Sequence, residues 1–125
     1  MTGWRVFFFA AALFNFLAGV PLLVAPNAEL AMMHMPPAPD VMYHQVTGVL
    51  IICFGIGYGL VAGDLEKNTG IVWLGALGKA GVIALMAMAY QAGTIPFQVF
   101  AIAFGDMAFV LGFIAFLLTR RGAAG

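Results

Sequence analysis

Four apolar stretches, each about as long as a membrane is thick, constrain this chain more than any other feature. They cover residues 6–25, 41–62, 70–90 and 97–118. A helix rises about 1.5 Å per residue, so about 20 apolar residues cross the roughly 30 Å hydrocarbon core of a bilayer. The sequence therefore predicts an all-α membrane protein, a bundle of four transmembrane helices, with residues 1–125 forming a single transmembrane domain.

The composition excludes other classes of protein. Hydrophobic residues make up 64% of the chain and charged residues only 8%, whereas soluble domains average about 45–50% and about 25%. The net charge is zero and no basic run is present, so no nucleic-acid partner is expected. Cys53 is the sole cysteine, which excludes an internal disulfide and a multi-cysteine metal site. Its apolar neighbours predict a small buried side chain rather than a reactive thiol.

The distribution of Lys and Arg predicts the orientation. The connections at residues 26–40 and 91–96 contain neither residue, whereas the opposite helix ends carry Arg5, Lys67, Arg120 and Arg121. Because cytoplasmic flanks are enriched in positive charge, both termini are expected in the cytoplasm. A cleaved signal peptide is an alternative for the first stretch, with Ala28 near the cleavage point. That stretch is longer than the 7–15 residues typical of a signal, and it carries Asn15 near its middle.

Two charged residues lie in the middle of spans. Lys79 is eleven residues before Tyr90, and Asp106 is nine residues after Phe97, which places them about 16 and 14 Å from the same membrane face. The short connection between these spans makes them antiparallel neighbours. An isolated charge at the bilayer centre costs about 2.5–3.5 kcal/mol on insertion scales. The sequence therefore predicts that Lys79 and Asp106 form an ion pair.

Further polar residues extend this predicted centre. Asn15 lies about 15 Å deep in the first span, and its amide is able to donate to Asp106 or accept from Lys79. Nearer the outer surface, the second span adds His44, Gln45 and Thr47, so the group is predicted to line an outward-opening notch. Three interpretations remain open: a buried ion pair that only fixes helix packing, a ligand or ion site or proton relay, and a Schiff base on Lys79 with Asp106 as counter-ion.

Small residues at helical spacing predict where the helices touch. Helices in lipid associate through close packing at small side chains. The two stripes are formed by Gly55, Gly59 and Gly63 in the second span and by Ala76, Ala80 and Ala84 in the third. Packing within the bundle is the favoured interpretation, and a homodimer through one Gly face is the alternative.

The connection between the first two spans is predicted to contain a short interfacial helix over residues 27–35. Asn27 suits its N-cap, and the prolines at 36 and 37 end it. The region also concentrates a soft ligand set suited to Cu(I), namely Met33, His34, Met35, Met42 and His44. Flexible apolar cover at the membrane interface is the favoured interpretation of the methionines, so no metal ion or cofactor is expected.

A Gly-Lys pair in the third span, Gly78-Lys79, and a Gly-Asp pair in the fourth, Gly105-Asp106, accompany the four short spans. In this pattern the chain resembles small bacterial four-helix membrane proteins of the DoxX-like kind. The resemblance covers most of the chain and transfers no functional residue. It implies a location in the bacterial inner membrane.

Three functions are consistent with these features. The leading hypothesis is binding or passage of a small solute or ion at the centre formed by Lys79, Asp106 and Asn15. The main alternative is a non-catalytic accessory or assembly subunit of a membrane complex, in which the centre only fixes helix packing. A small membrane enzyme acting on a lipid-like substrate is the third, although the sequence has no HExxH, GxSxG or phosphate-binding loop. The expected partners are the lipid bilayer and either further copies of the chain or a larger membrane complex.

Overall fold

The computed structural model describes residues 2–124, with side chains for residues 2–120. Over that range the chain is helical and contains no strand. Its helices are α1 (Thr2–Val24), α2 (Pro26–Met32), α3 (Met42–Gly63), α4 (Thr69–Gln91), α5 (Phe97–Phe100) and α6 (Ile102–Ala124). Four segments are long and apolar enough to cross a membrane: Thr2–Val24, Met42–Gly63, Thr69–Gln91 and Phe97–Arg120. The prediction of four membrane-length helices is therefore confirmed.

The helices form two compact units, Met1–Gly63 and Asp64–Gly125. In unit one, α1 and α3 pack against each other in antiparallel directions, with α2 in the connection between them. In unit two, α4 packs antiparallel to α6, with α5 leading into α6. The assignment of residues 1–125 to one transmembrane domain stays a prediction.

Proline sets the boundary between α1 and α2. Pro26 has no N–H to continue the α1 ladder, and Ala25 before it takes a φ of −149°, in line with the bias against helical conformation before proline. Ala25 holds the N-cap position of α2, so the expectation that Asn27 caps this helix was wrong. Instead, Asn27 Oδ1 accepts a hydrogen bond from the Ala38 N–H at 2.9 Å, which ties α2 to the following loop.

The end of α2 is a Schellman turn. His34 has a φ of +60°, its N–H donates to Ala31 O at 3.1 Å, and the Met35 N–H donates to Leu30 O at 2.8 Å. This pair of bonds satisfies the carbonyls left open at the helix end. The helix thus ends at Met32, before the prolines that were expected to stop it after Met35.

The same turn ends α4, but with glycine at the left-handed position. Gly93 has a φ of +77°, its N–H donates to Tyr90 O, and the Thr94 N–H donates to Ala89 O, both at 3.0 Å. Glycine takes this conformation without steric strain, whereas another L-residue pays roughly 1–2 kcal/mol. His34 therefore holds a strained position that the chain fills with glycine elsewhere.

We expect His34→Gly to stabilise the α2 turn by about 0.5–1 kcal/mol, since the relieved strain exceeds the added entropy of the unfolded chain. Gly93→Ala, the matched change at the equivalent position of α4, should have the opposite sign. Amide hydrogen exchange at Met35 and Thr94 measures both effects. Faster exchange in His34→Gly would contradict the expectation.

The fourth span is interrupted near its start. Ala101 separates α5 from α6. Its carbonyl oxygen accepts a hydrogen bond of the 3₁₀ type, from the residue three positions later, with Phe104 N–H as donor at 3.1 Å. Pro96 is the N-cap of α5, with φ −77° and ψ 166°. The fourth apolar segment therefore consists of two consecutive helices, α5 and α6.

Cys53 is exposed, so the expectation that it is buried was wrong. The face of α3 that meets α1 carries Ile51 and Gly55. Cys53 is two residues from each, which is about 200° around a helix. Its thiol therefore lies on the side of α3 that faces away from α1.

Candidate functional site

Asn15 joins α1 to α3 in the middle of unit one. Asn15 is 5% exposed, and its side-chain Nδ2 donates a hydrogen bond to the carbonyl oxygen of Ile51 at 2.9 Å. Gly55 allows this approach, because a Cβ at that position would lie 3.1 Å from Asn15 Cβ and 3.3 Å from Ala12 O. A buried amide thus bonds to the backbone of the neighbouring helix.

The closest approach of α1 and α3 lies nearer their connection, at Gly19 and Gly48. A Cβ on Gly48 would come within 2.8 Å of Gly19 O and 2.9 Å of Leu23 N, and a Cβ on Gly19 within 2.9 Å of Gly48 O. Sequence reasoning missed this contact. The available signal was the seven-residue interval from Gly48 to Gly55, two helical turns on one face.

The remaining residues of the predicted notch point in different directions. Gln45 Nε2 donates to Leu23 O at 3.2 Å, in the last turn of α1, where carbonyls lack helical partners. Thr47 is exposed, and its hydroxyl donates to Tyr43 O within α3. His44 is half-buried, and its Nδ1 has no hydrogen-bond partner. Gln45 therefore helps to join the helices, whereas Thr47 lies on an exposed face.

Unit two contains the predicted ion pair. Lys79 Nζ donates to Asp106 Oδ1 at 2.7 Å, and the two side chains are 11% and 10% exposed. Lys79 lies in the middle of α4, and Asp106 follows the α5–α6 break by little more than one turn. The distance is typical of a strong charge-assisted hydrogen bond. The pairing predicted from equal depth on antiparallel helices is therefore present.

An aromatic ring adds to the setting of Lys79. Its Nζ lies 5.7 Å from the centroid of the Phe109 ring, within the range of a cation–π interaction. Phe109 is three residues after Asp106, so carboxylate and ring project from the same side of α6. The ammonium thus meets a negative charge and the electron-rich face of a ring from one helix.

Aromatic rings gather where the two helices of unit two meet their connection. Tyr90 stacks on Phe100 with centroids 4.7 Å apart and planes 6° apart. Phe97 and Phe104 complete the cluster through edge and tilted contacts of 5.5–6.5 Å. Such rings suit a membrane–water interface, so the cluster is consistent with one end of the span.

Charged residues gather at the opposite end of unit two. Asp64 Oδ1 accepts from the N–H groups of Glu66 and Lys67 at 3.1 and 3.3 Å, which orders the turn before α4. Arg120 reaches Glu66 at 3.8 Å and covers the Phe116 ring at 4.9 Å. The side chain of Arg121, the other positive residue predicted for this face, lies outside the described residues.

The small-residue stripes divide into buried and open positions. Gly55 and Ala76 are buried, whereas Ala80 and Ala84 are exposed. A Cβ at Gly59 or Gly63 would meet nothing within 4 Å. The described part of unit one therefore does not fill the space beside those two glycines, and the packing role predicted for them stays a prediction.

The side chains that usually bind metal ions are His, Cys, Asp and Glu. Among the described residues, no group of three or more His, Cys, Asp or Glu side chains is placed to hold a metal ion. Of the residues suggested for copper, His34 and Met42 are exposed, while Met33 and Met35 are half-buried. Copper binding on this loop was the disfavoured alternative, and the expectation that no metal ion is bound stays a prediction.

Four membrane-length apolar helices and a buried ion pair indicate a multi-pass membrane protein with a charged centre in one of its two units. Comparison with known proteins found no matching family model, no matching curated protein and no matching solved structure. The DoxX-like resemblance stays an expectation from sequence.

Proposed function

We propose that the chain is a multi-pass protein of the bacterial inner membrane that binds or passes a small solute or ion at the Lys79–Asp106 pair. The observation that carries the proposal is the direct 2.7 Å contact between two largely buried opposite charges on membrane-length helices. Ionisable residues inside a membrane are expensive and commonly mark ion or substrate pathways.

In the described part of unit one, two membrane-length helices pack together without an ion pair between them. There, α1 and α3 meet through glycine contacts and one neutral amide, which is how helices commonly associate in lipid. Replacing a buried ion pair by well-packed apolar residues is often neutral or stabilising. A chain that packs one hairpin without charge therefore has a reason beyond packing to keep two charges in the other.

A non-catalytic accessory or assembly subunit is the second candidate. The observation that favours it is the closed geometry of the pair, in which Lys79 and Asp106 already satisfy each other. Open glycines at positions 59, 63, 78 and 81 are consistent with recruitment of another helix. In this case the pair would only hold α4 to α6.

Flux through reconstituted protein separates the two candidates. Proteoliposomes are tested under imposed gradients for movement of protons, with a pH-sensitive dye inside, and for uptake of radiolabelled Na⁺ and Cl⁻. The wild type should show flux for at least one of these ions, and Lys79→Met with Asp106→Asn should abolish it. The matched control removes an exposed pair, Lys67→Met with Asp64→Asn, whose side chains are 83% and 46% exposed, and should keep the flux.

A silent wild type would argue for the accessory role. In that case the charge-swapped variant, Lys79→Asp with Asp106→Lys, should preserve the size of any native complex on a native gel, because it preserves the pairing. A double variant as active as wild type would instead show that the ions do not pass at the Lys79–Asp106 pair.

The proposed orientation, with both termini cytoplasmic, has its own test. In a Cys53→Ser background, we expect Ala38→Cys to react with a membrane-impermeant thiol reagent added outside intact cells, and Lys67→Cys to stay unmodified. The physical reason is the Lys and Arg bias toward the face that carries residue 67. Labelling at position 67 and not at position 38 would show that both termini lie outside the cytoplasm.

A further inference from the structure

We infer that the Lys79–Asp106 site takes up a small monovalent anion together with one proton. In the loaded state Asp106 is a neutral carboxylic acid, and the anion is held by the Lys79 ammonium. This inference rests on the proposed function and specifies the class of solute that the site accepts.

Charge balance is the first step. Between residues 69 and 119, Lys79 and Asp106 are the sole charged residues. The other titratable group of that stretch is Tyr90, in the last turn of α4 and stacked on Phe100. α5 contributes no titratable group. The resting pair is therefore neutral overall, and an anion entering alone would leave a net negative charge in a low-dielectric setting, which is strongly unfavourable.

For a solute that is a single charged ion, two exchanges would keep the site neutral. An anion can enter with a proton that neutralises Asp106, or a cation can enter as Lys79 releases a proton. A metal cation at Asp106 would need several oxygen ligands, yet no cluster of three or more His, Cys, Asp or Glu occurs in the described part of the chain. Between residues 69 and 119 a cation would therefore find no second carboxylate beside Asp106.

The contacts of Lys79 favour the anion. Lys79 Nζ lies 2.7 Å from Asp106 Oδ1 and 5.7 Å from the Phe109 ring centroid. When Asp106 becomes neutral, the ring still stabilises the ammonium, so Lys79 can remain charged. An ammonium has three N–H donors, and the one released by Asp106 becomes available to the anion.

The step balances without a further reactant. A solvated proton from the same side of the membrane as the anion adds to a carboxylate oxygen of Asp106, the ion pair opens, and a Lys79 N–H donates to the anion. Release reverses both events on either side of the membrane. One anion and one proton move together, so transport is electroneutral.

The test uses wild-type protein in proteoliposomes with chloride and L-lactate as probe anions. A pH-sensitive dye inside follows protons, and uptake of the radiolabelled anion is measured in parallel. An inward gradient of one probe anion should drive proton entry, and clamping the membrane potential at zero with K⁺ and valinomycin should leave the rate unchanged. Lys79→Met with Asp106→Asn should fall to the rate of protein-free liposomes. The exposed-pair variant Lys67→Met with Asp64→Asn should match wild type.

The outcomes separate the inference from the proposed function. Ion flux that depends on membrane potential and moves no protons would overturn the inference and leave the proposed function standing. Absence of flux for every probe ion would overturn both. In the folded fraction of Asp106→Asn, where the side chain is permanently neutral, anion flux should persist without proton movement. Proton coupling retained in that variant would overturn the role given to Asp106.

Discussion

Asp106→Asn should destabilise the protein by about 3–5 kcal/mol, the usual result of stranding one partner of a buried ion pair. Lys79→Met should have a similar effect, since Asp106 would then be left in the same low-exposure setting. The stranded group can escape part of this penalty by becoming neutral. Unfolding of the detergent-solubilised protein by added SDS measures the change in free energy of unfolding.

The double variant, Lys79→Met with Asp106→Asn, should recover most of that stability, because neither charge then remains unpaired. The exposed pair offers the control: Asp64→Asn should change stability by no more than about 1 kcal/mol. Single variants as stable as wild type, with no coupling energy in the double-mutant cycle, would show that the two side chains do not interact. That result would remove the basis of both proposals.

Gly48→Ala should destabilise unit one by about 1–3 kcal/mol, the range for an overpacked core. The added Cβ would come within 2.9 Å of two backbone atoms of α1, Gly19 O and Leu23 N. Backbone atoms of a packed helix cannot move aside as the end of a flexible side chain can. The two helices must therefore separate, which also weakens the Asn15–Ile51 hydrogen bond.

Gly59→Ala is the matched control on the same helix. A Cβ there meets nothing within 4 Å, so the better helix propensity of alanine should raise stability by about 0.5–1 kcal/mol. Both variants are measured by the same SDS titration. A loss in Gly59→Ala that depends on protein concentration would instead place Gly59 in contact with a second copy of the chain.

Apolar length and charge depth were enough to predict the spans and the Lys79–Asp106 pair, because both follow from the rise of a helix and from the cost of an isolated charge in a membrane. Glycine spacing was not enough to select the packing face. Gly55 does meet α1, but a Cβ at Gly48 would lie nearer still to the α1 backbone, and no described atom of unit one lies within 4 Å of a Cβ at Gly59 or Gly63. Spacing shows which residues share a face, and only the partner helix decides which part of that face is used.

Polar residues near a helix end were equally ambiguous. Gln45 and Thr47 are two positions apart in α3, so their side chains diverge by about 200°. One bonds the last turn of α1 and the other bonds its own helix. Sequence placed them at one depth but did not determine the rotation of α3 about its axis, which decides what each side chain meets.

The separation of the paired charges along the chain has a consequence for biosynthesis. Asp106 follows Lys79 by 27 residues, so at the usual 5–20 residues per second the ribosome releases it about 1–5 seconds later. During that delay α4, the least apolar of the four spans, carries a lysine without its counter-charge. Inserting α4 and α6 together would therefore avoid the cost of placing an unpaired lysine in the bilayer.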